Sequence, residues 1–257
     1  MRVRAYRRHD QILDLLNEKR ALDVGTIARK FNVSLATARR DFSILEHEGK
    51  LLRTFGGVQA GAEPSLVIKT FGEKRVAMNA AKISMAKTAA ALIRPGMKIM
   101  LDSGTTIWTV SRQLKHLVPL TVITSSLAVI EEIGAVDGIT LFCVGGQFRP
   151  SNLDFYGPRT QSALAQFAAD IAFLGIDKLI AGRGGYAADQ ESAAIIRAMC
   201  QHANKRVVMV DHSKIDSSGF ILALENKNID VVITDAGISK AQRRQLAKGP
   251  YQLIVAG

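Results

Sequence analysis

Ser34, Leu35, Ala36 and Thr37, followed by Arg39 and Arg40, have the types and spacing of a surface that reads nucleic acid. At the start of a helix, the first four would meet base edges in a major groove. The two arginines would stand one turn further on, beside the groove. An arginine fork fits two phosphate oxygens or the O6/N7 edge of guanine. Thr37 can bond a phosphate and touch thymine with its methyl. Lys50, Arg53 and the Gly56-Gly57 turn would follow the DNA backbone as a wing. Taken singly, each arginine reads as well as a solvated helix face; the arrangement is more specific than its parts. Asp41, in the same helix, would repel phosphate. Its expected role is structural, pairing with Arg8, Arg40 or a backbone amide.

A second group of residues could hold an anion. Asp102 ends an apolar run, and Ser103-Gly104-Thr105-Thr106 turn from it into a helical stretch. Backbone amides, hydroxyls and a helix dipole would converge there, and Gly104 lets the backbone approach. Similar polar tips occur at Ser125-Ser126, Gly145-Gly146 and Asp211–Lys214. All lie at C-terminal ends of expected strands, where open α/β sheets bind ligands. Lys214 would supply positive charge, and Asp102 and Asp211 could accept from hydroxyls. One such loop is equally an ordinary βα turn, and Lys214 equally a surface lysine. Recurrence of the pattern carries the reading.

The elements that must position these groups can be traced. Ile12, Leu13, Leu15 and Leu16 give a helical pattern over 6–19. Asp23 is the expected N-cap of a helix over Val24–Phe31, and Ser34 of another from Leu35 to Glu48, stopped by Gly49. Strand, turn and strand follow over Lys50–Val58. Three short helices and a hairpin make a winged helix over 1–58, with its helix-turn-helix at about 21–40. Residues 59–71 read as a linker marked by Pro64. A long helix over 72–93 opens the remainder, 72–257, where apolar strands alternate with helices. That pattern predicts an α/β domain with a mostly parallel sheet covered on both faces.

Composition agrees. The 257 residues are 47% hydrophobic and 22% charged, so disorder and fibres are excluded. Formal net charge is +11, and residues 1–60 hold 12 Lys+Arg against 7 Asp+Glu. A basic balance suits a polyanionic partner, though a soluble protein can simply have a high pI. No apolar run reaches a membrane span and no signal core follows the basic N-terminus, so a cytoplasmic protein without membrane contact is expected. Cys143 and Cys200 are too few and too far apart for a disulfide framework or zinc site. The five histidines lack ligand spacing. Neither metal nor cofactor is expected.

Several stretches resemble the DeoR family of bacterial transcription regulators. In the first half these are Val33–Asp41 (VSLATARRD) and Gly49–Val58 (GKLLRTFGGV). In the second they are LDSGTT (101–106), VITSS (122–126), VGGQ (144–147), FLGID (173–177), the acidic helix start Gln190-Glu191, VDHSK (210–214) and VITD (232–235). The resemblance implies an N-terminal winged helix-turn-helix joined to a sensor similar in fold to sugar-phosphate isomerases. It implies binding to a double-stranded DNA operator, a phosphorylated sugar as effector, and a homodimer or homotetramer. Glu191 joins Asp102 and Asp211 as a hydroxyl-binding candidate on this basis.

The leading expectation is thus a sequence-specific repressor of a carbohydrate-metabolism operon, relieved by a phosphorylated sugar. The competing reading is a sugar-phosphate isomerase-like enzyme with a DNA-binding appendage, in which Glu191, Asp102 and Lys214 would move protons. A complete winged helix discriminates between them, because an isomerase has no use for one.

Overall fold

The computed structural model describes residues 8–9, 11–13, 15–16, 21–47, 51–54, 57–59, 71–76, 79–215 and 218–257. The chain divides into two compact units, residues 1–68 and 69–257.

In the first unit, α1 (helical at 8–9, 11–13 and 15–16) buries Ile12 and Leu16. β1 (Ala21–Asp23) runs directly into α2 (Val24–Lys30). Asp23 caps α2: the Thr26 amide donates to its Oδ1 at 2.9 Å. Asn32 turns the chain with φ 49°, a conformation asparagine tolerates. α3 (Leu35–His47) starts behind Ser34, whose Oγ accepts from the Thr37 amide at 3.1 Å. Ala38, Phe42 and Leu45 of α3 close one core with Ile12, Leu16 and Ile27.

β2 (Leu52–Thr54) and β3 (Gly57–Gln59) form the expected hairpin. The sequence did not announce β1 as its third strand, in the order β1-β3-β2. Three residues are too few to display a strand period. Gly57 makes this closure possible, since a Cβ there would lie 2.3 Å from the Leu22 carbonyl oxygen. Lys50, Gly56, and 60–70 of the expected linker lie outside the described residues.

The second unit opens with α4 (Phe71–Val76) and α5 (Asn79–Ala90), where one helix over 72–93 was expected. Then follow β4 (Lys98–Leu101), α6 (Thr105–Ser111), β5 (Leu120–Thr124), α7 (Leu127–Ile133), β6 (Ile139–Cys143), β7 (Gln147–Arg149), β8 (Asp154–Tyr156) and α8 (Pro158–Leu164). Next are β9 (Ala169–Gly175), β10 (Lys178–Ile180), β11 (Gly184–Ala187), α9 (Gln190–Gln201) and β12 (Ala203–Met209). β13 (Ile221–Glu225), β14 (Val231–Asp235), α10 (Lys240–Leu246) and β15 (Gln252–Ala256) complete it.

Seven strands form one parallel sheet in the order β15-β14-β12-β9-β4-β5-β6. Successive side chains point to opposite faces, and both are apolar. Ile99, Leu101, Ile171 and Phe173 pack with Met85, Ala89, Ile107, Val110 and Val129 of α5–α7. Met100, Ala172, Leu174 and Val208 pack with Leu164, Ile196, Met199 and Leu246 of α8–α10. Two antiparallel pieces went unread in the sequence, the sheet β10-β11-β13 and the hairpin β7-β8. Their strands are three to five residues long. Among the described residues, no helix is long and apolar enough to cross a membrane.

Candidate effector pocket and DNA-facing surface

Strand order reverses between β4 and β9. From β4 the chain moves outward through β5 and β6, then returns to β9 on the other side of β4 and continues to β12. Loops leaving β4 and β9 diverge, and a crevice opens at their C-terminal ends. Asp102 stands there, buried, its Oδ2 accepting from the Gly175 amide at 3.0 Å. Ser103, Gly104 and Thr106 continue the wall, with Gly175 and Asp177 opposite. Lys74 of α4, Asn152 of the β7–β8 turn, Ser192 of α9, and Lys214 also line the pocket. The pocket is partly open to solvent, with a volume of about 70 Å³. Gly104 has φ 105° and open space around it, so its backbone conformation calls for glycine.

Of the residues expected to bind an effector, Asp102, Ser103, Gly104, Thr106 and Lys214 meet in this one pocket. The others have different surroundings. Thr105 directs its Oγ1 to the Lys74 carbonyl at 3.4 Å. Ser126 caps α7, accepting from the Val129 amide at 3.3 Å, and Ser125 is buried beside it. The Gly145 carbonyl accepts from Thr160 Oγ1 at 3.0 Å, and a Cβ on Gly146 would fall 2.0 Å from that same Oγ1. Packing therefore requires glycine at 146, whereas 145 has open space around it. Glu191 lies in the first turn of α9, half-buried and outside the pocket lining. Asp211 is buried, caps the turn at His212–Lys214, and lies 3.9 Å from Lys214 Nζ.

Sequence reasoning missed Lys74, Asn152 and Ser192 as pocket residues, and Asp177 stood out only as the end of the FLGID motif. Lys74 belongs to a short helix held by its neighbours. Lys82 and Thr105 donate to its carbonyl, the Phe71 amide donates to the Ser151 carbonyl at 2.7 Å, and the Phe71 ring meets Trp108 edge-on at 6.2 Å. One signal was present: Asp189 and Ser192 have N-cap and N3 spacing, and the Ser192 amide donates to Asp189 Oδ1 at 2.7 Å.

The pocket holds groups of both charge signs. Burial raises the Asp102 carboxyl to about 7, with Asp154 and Asp177 adding to the effect against hydrogen bonds from the Ser103 and Gly175 amides. Burial lowers Lys74, and the charges of Lys214 and Arg149 lower it further, against Asp177 and Asp189. Lys82 is lowered to about 8 by burial, then by Lys214 and Lys74. Cations that disfavour one another's charge are a place where an anion is welcome. α6 has only seven residues, so these lysines supply most of the attraction and the helix dipole little.

On the first unit, the start of α3 presents a polar and apolar surface to solvent. Ser34, Leu35, Ala36, Arg39 and Arg40 are exposed and Thr37 is half-buried. Leu35 is 52% exposed although the core beneath it is complete. Arg53 leans onto α3, donating to the Arg39 carbonyl at 3.1 Å and to Ser43 Oγ at 2.5 Å. Asp41 faces inward. Arg8 grips it with two bonds of 2.7 and 3.0 Å, and His9 Nε2 lies 2.9 Å away. Burial opposes the Asp41 charge, but these partners overcome it and hold the carboxyl below its usual range.

Residues 8–63 match the DeoR-like helix-turn-helix domain, and 78–236 match the DeoR C terminal sensor domain. The transcriptional repressor AccR of Agrobacterium fabrum is 31% identical over 231 residues, which cover 90% of this chain and 89% of AccR. The HTH-type transcriptional repressor GlcR of Bacillus subtilis is 29% identical over 244 residues, 95% of this chain and 93% of GlcR. Among solved structures, ribose 5-phosphate isomerase A of Methanocaldococcus jannaschii superposes with a TM-score of 0.41 at 22% identity, covering 53% of this chain and 54% of that one.

Proposed function

The chain belongs to the DeoR family of DNA-binding transcriptional regulators, and from that premise we propose that it represses a carbohydrate operon until a phosphorylated sugar fills the β4–β9 pocket. The observation that carries the effector reading is the meeting of both charge signs in that one pocket. Lys74 and Lys214 offer cations suited to phosphate, and the Asp102 and Asp177 carboxyl groups offer hydrogen-bond partners suited to sugar hydroxyls. Thr106, Ser103 and the Gly104 backbone complete the reach around a small polar ligand.

The operator is read by the start of α3. Ser34, Leu35, Ala36 and Thr37 enter the major groove, while Arg39 and Arg40 contact phosphate or guanine. Arg53 and Gly57 belong to the wing, with Lys50 and Gly56 assigned to it from the sequence. Two copies act on paired half-sites, as a homodimer or homotetramer. Relatives named as transcriptional repressors support a regulator over an isomerase.

Relief of repression follows from linkage. A ligand loosens DNA only by preferring the conformer that fits the operator less well. α4 is the first element after residues 60–70, so a ligand held by Lys74 acts at the point in the sequence where the two units join. A thermal-shift screen of sugar phosphates against the full chain, followed by calorimetry, tests the reading. At least one phosphorylated sugar raises the melting temperature, and Asp102→Ala and Lys214→Ala each abolish the rise. Unchanged affinity in both variants moves the pocket elsewhere.

A further inference from the structure

Arg149, at the end of β7, stands behind the pocket lining and holds the groups that support one side of it. Its Nε and Nη2 donate to the two oxygens of Asp154 at 3.0 and 2.8 Å. Nη1 donates to Asp189 Oδ2 and Nη2 to Ser192 Oγ, both at 3.0 Å. The guanidinium also lies 5.2 Å from the Tyr156 ring centre. One planar fork therefore joins the β7–β8 hairpin to the start of α9, which only a guanidinium's five fixed donors can do.

The consequence lies in where the serine protons go. Ser103 Oγ donates to Asp154 Oδ2 at 2.9 Å, and Ser192 Oγ donates to Asp189 Oδ2 at 2.8 Å. A hydroxyl has one proton and two lone pairs. With both protons committed to carboxylates behind the wall, Ser103 and Ser192 face the pocket as acceptors. An ionised phosphate is itself only an acceptor, so this wall repels it. A ligand hydroxyl donates, so the wall takes it.

We propose that Arg149 is the positioning residue that sets specificity: by fixing Asp154 and Asp189 it turns Ser103 and Ser192 into acceptors that read ligand hydroxyls. The proposal rests on the sugar-phosphate reading of the pocket and deepens it. The ligand lies with its phosphate toward Lys74 and Lys214 and its hydroxyls toward Ser103, Asn152 and Ser192. Arg149 therefore governs the preference for a polyhydroxylated phosphate over phosphate alone.

Calorimetry on the full chain, with inorganic phosphate and with ribose 5-phosphate, fructose 6-phosphate and glucose 6-phosphate as probes, tests this. The quantity read is the ratio of the Kd for inorganic phosphate to that for the tightest sugar phosphate. Wild type shows a ratio well above one. In Arg149→Lys, which keeps a charge beside Asp154 but loses the fork, the ratio falls about tenfold or more while the phosphate Kd stays within about threefold. Asp189→Asn leaves the Arg149–Asp154 pair in place and lowers the ratio by a smaller factor; it decides the matter if Arg149→Lys does not fold. An unchanged ratio in the folded variants overturns the role of Arg149 and leaves the sugar-phosphate reading intact. Equal loss of phosphate and sugar phosphate overturns it too, because Arg149 would then support the pocket as a whole. A wild-type ratio near one removes both the proposal and the reading beneath it.

Discussion

At the scale of single residues, Asp102 has the clearest signature. Its carboxyl titrates near 7 in the folded chain against 3.8 in its ordinary setting, because it is buried. Between those two values the folded state holds a proton that the unfolded state has released. Stability therefore falls as pH rises across that window and levels off above it. Asp102→Asn removes this dependence, so relative to wild type its stability rises from pH 5 to pH 8 by about 2–3 kcal/mol and its melting temperature by roughly 5–10 °C. Parallel curves in differential scanning calorimetry would mean that the carboxyl is not held neutral. Asp41 has the opposite sign. It is stabilised as a carboxylate by Arg8 and His9, so its contribution is present above the ordinary carboxylate range and lost as pH falls. Asp41→Ala costs roughly 2–3 kcal/mol in denaturant unfolding of the first unit. Asp102 and Lys214 were legible because both stand at strand ends, where a linear pattern points to a ligand. Lys74, Asn152 and Ser192 were not, since they reach the pocket from a short helix, a hairpin turn and a helix start whose meeting depends on the sheet order.

Among the elements, α3 and the wing are the proposed DNA contact. Ser34→Ala removes the N-cap bond to Thr37 and costs about 1 kcal/mol of stability, read from its unfolding midpoint. Arg39→Ala or Arg40→Ala weakens operator binding by about 1–3 kcal/mol if the side chain reads a base, with loss of specificity at that position; a phosphate contact instead lowers affinity evenly across sequences. Gel-shift titrations on matched and scrambled DNA separate the two, and normal binding by both variants refutes this docking. The helices were readable because apolar residues recur at helical spacing and Asp23 and Ser34 stand at caps. β1 was not, for its pairing depends on Gly57 allowing the Leu22 carbonyl close, a contact with no local signature. β7, β8, β10, β11 and β13 escaped for a similar reason: three to five residues in antiparallel pairs do not sustain a period. The hairpin lost to sequence reasoning in this way is the one that holds Arg149.

At the scale of the whole molecule, a winged helix-turn-helix and a parallel-sheet unit with a polar pocket share one chain, and the proposed regulation depends on their coupling. Allosteric coupling of this kind typically changes affinity by about 5–150-fold. The measurement that tests it most directly is fluorescence anisotropy of the full chain on DNA from upstream of its own gene, at fixed salt, titrated with sugar phosphates. The expected result is that one phosphorylated sugar weakens DNA binding at least about fivefold, that its unphosphorylated form does not, and that Lys214→Ala binds the DNA normally but no longer responds. Release of DNA from Lys214→Ala at the same ligand concentration, or no response of the wild type to any sugar phosphate, would contradict a sensor that works through the β4–β9 pocket.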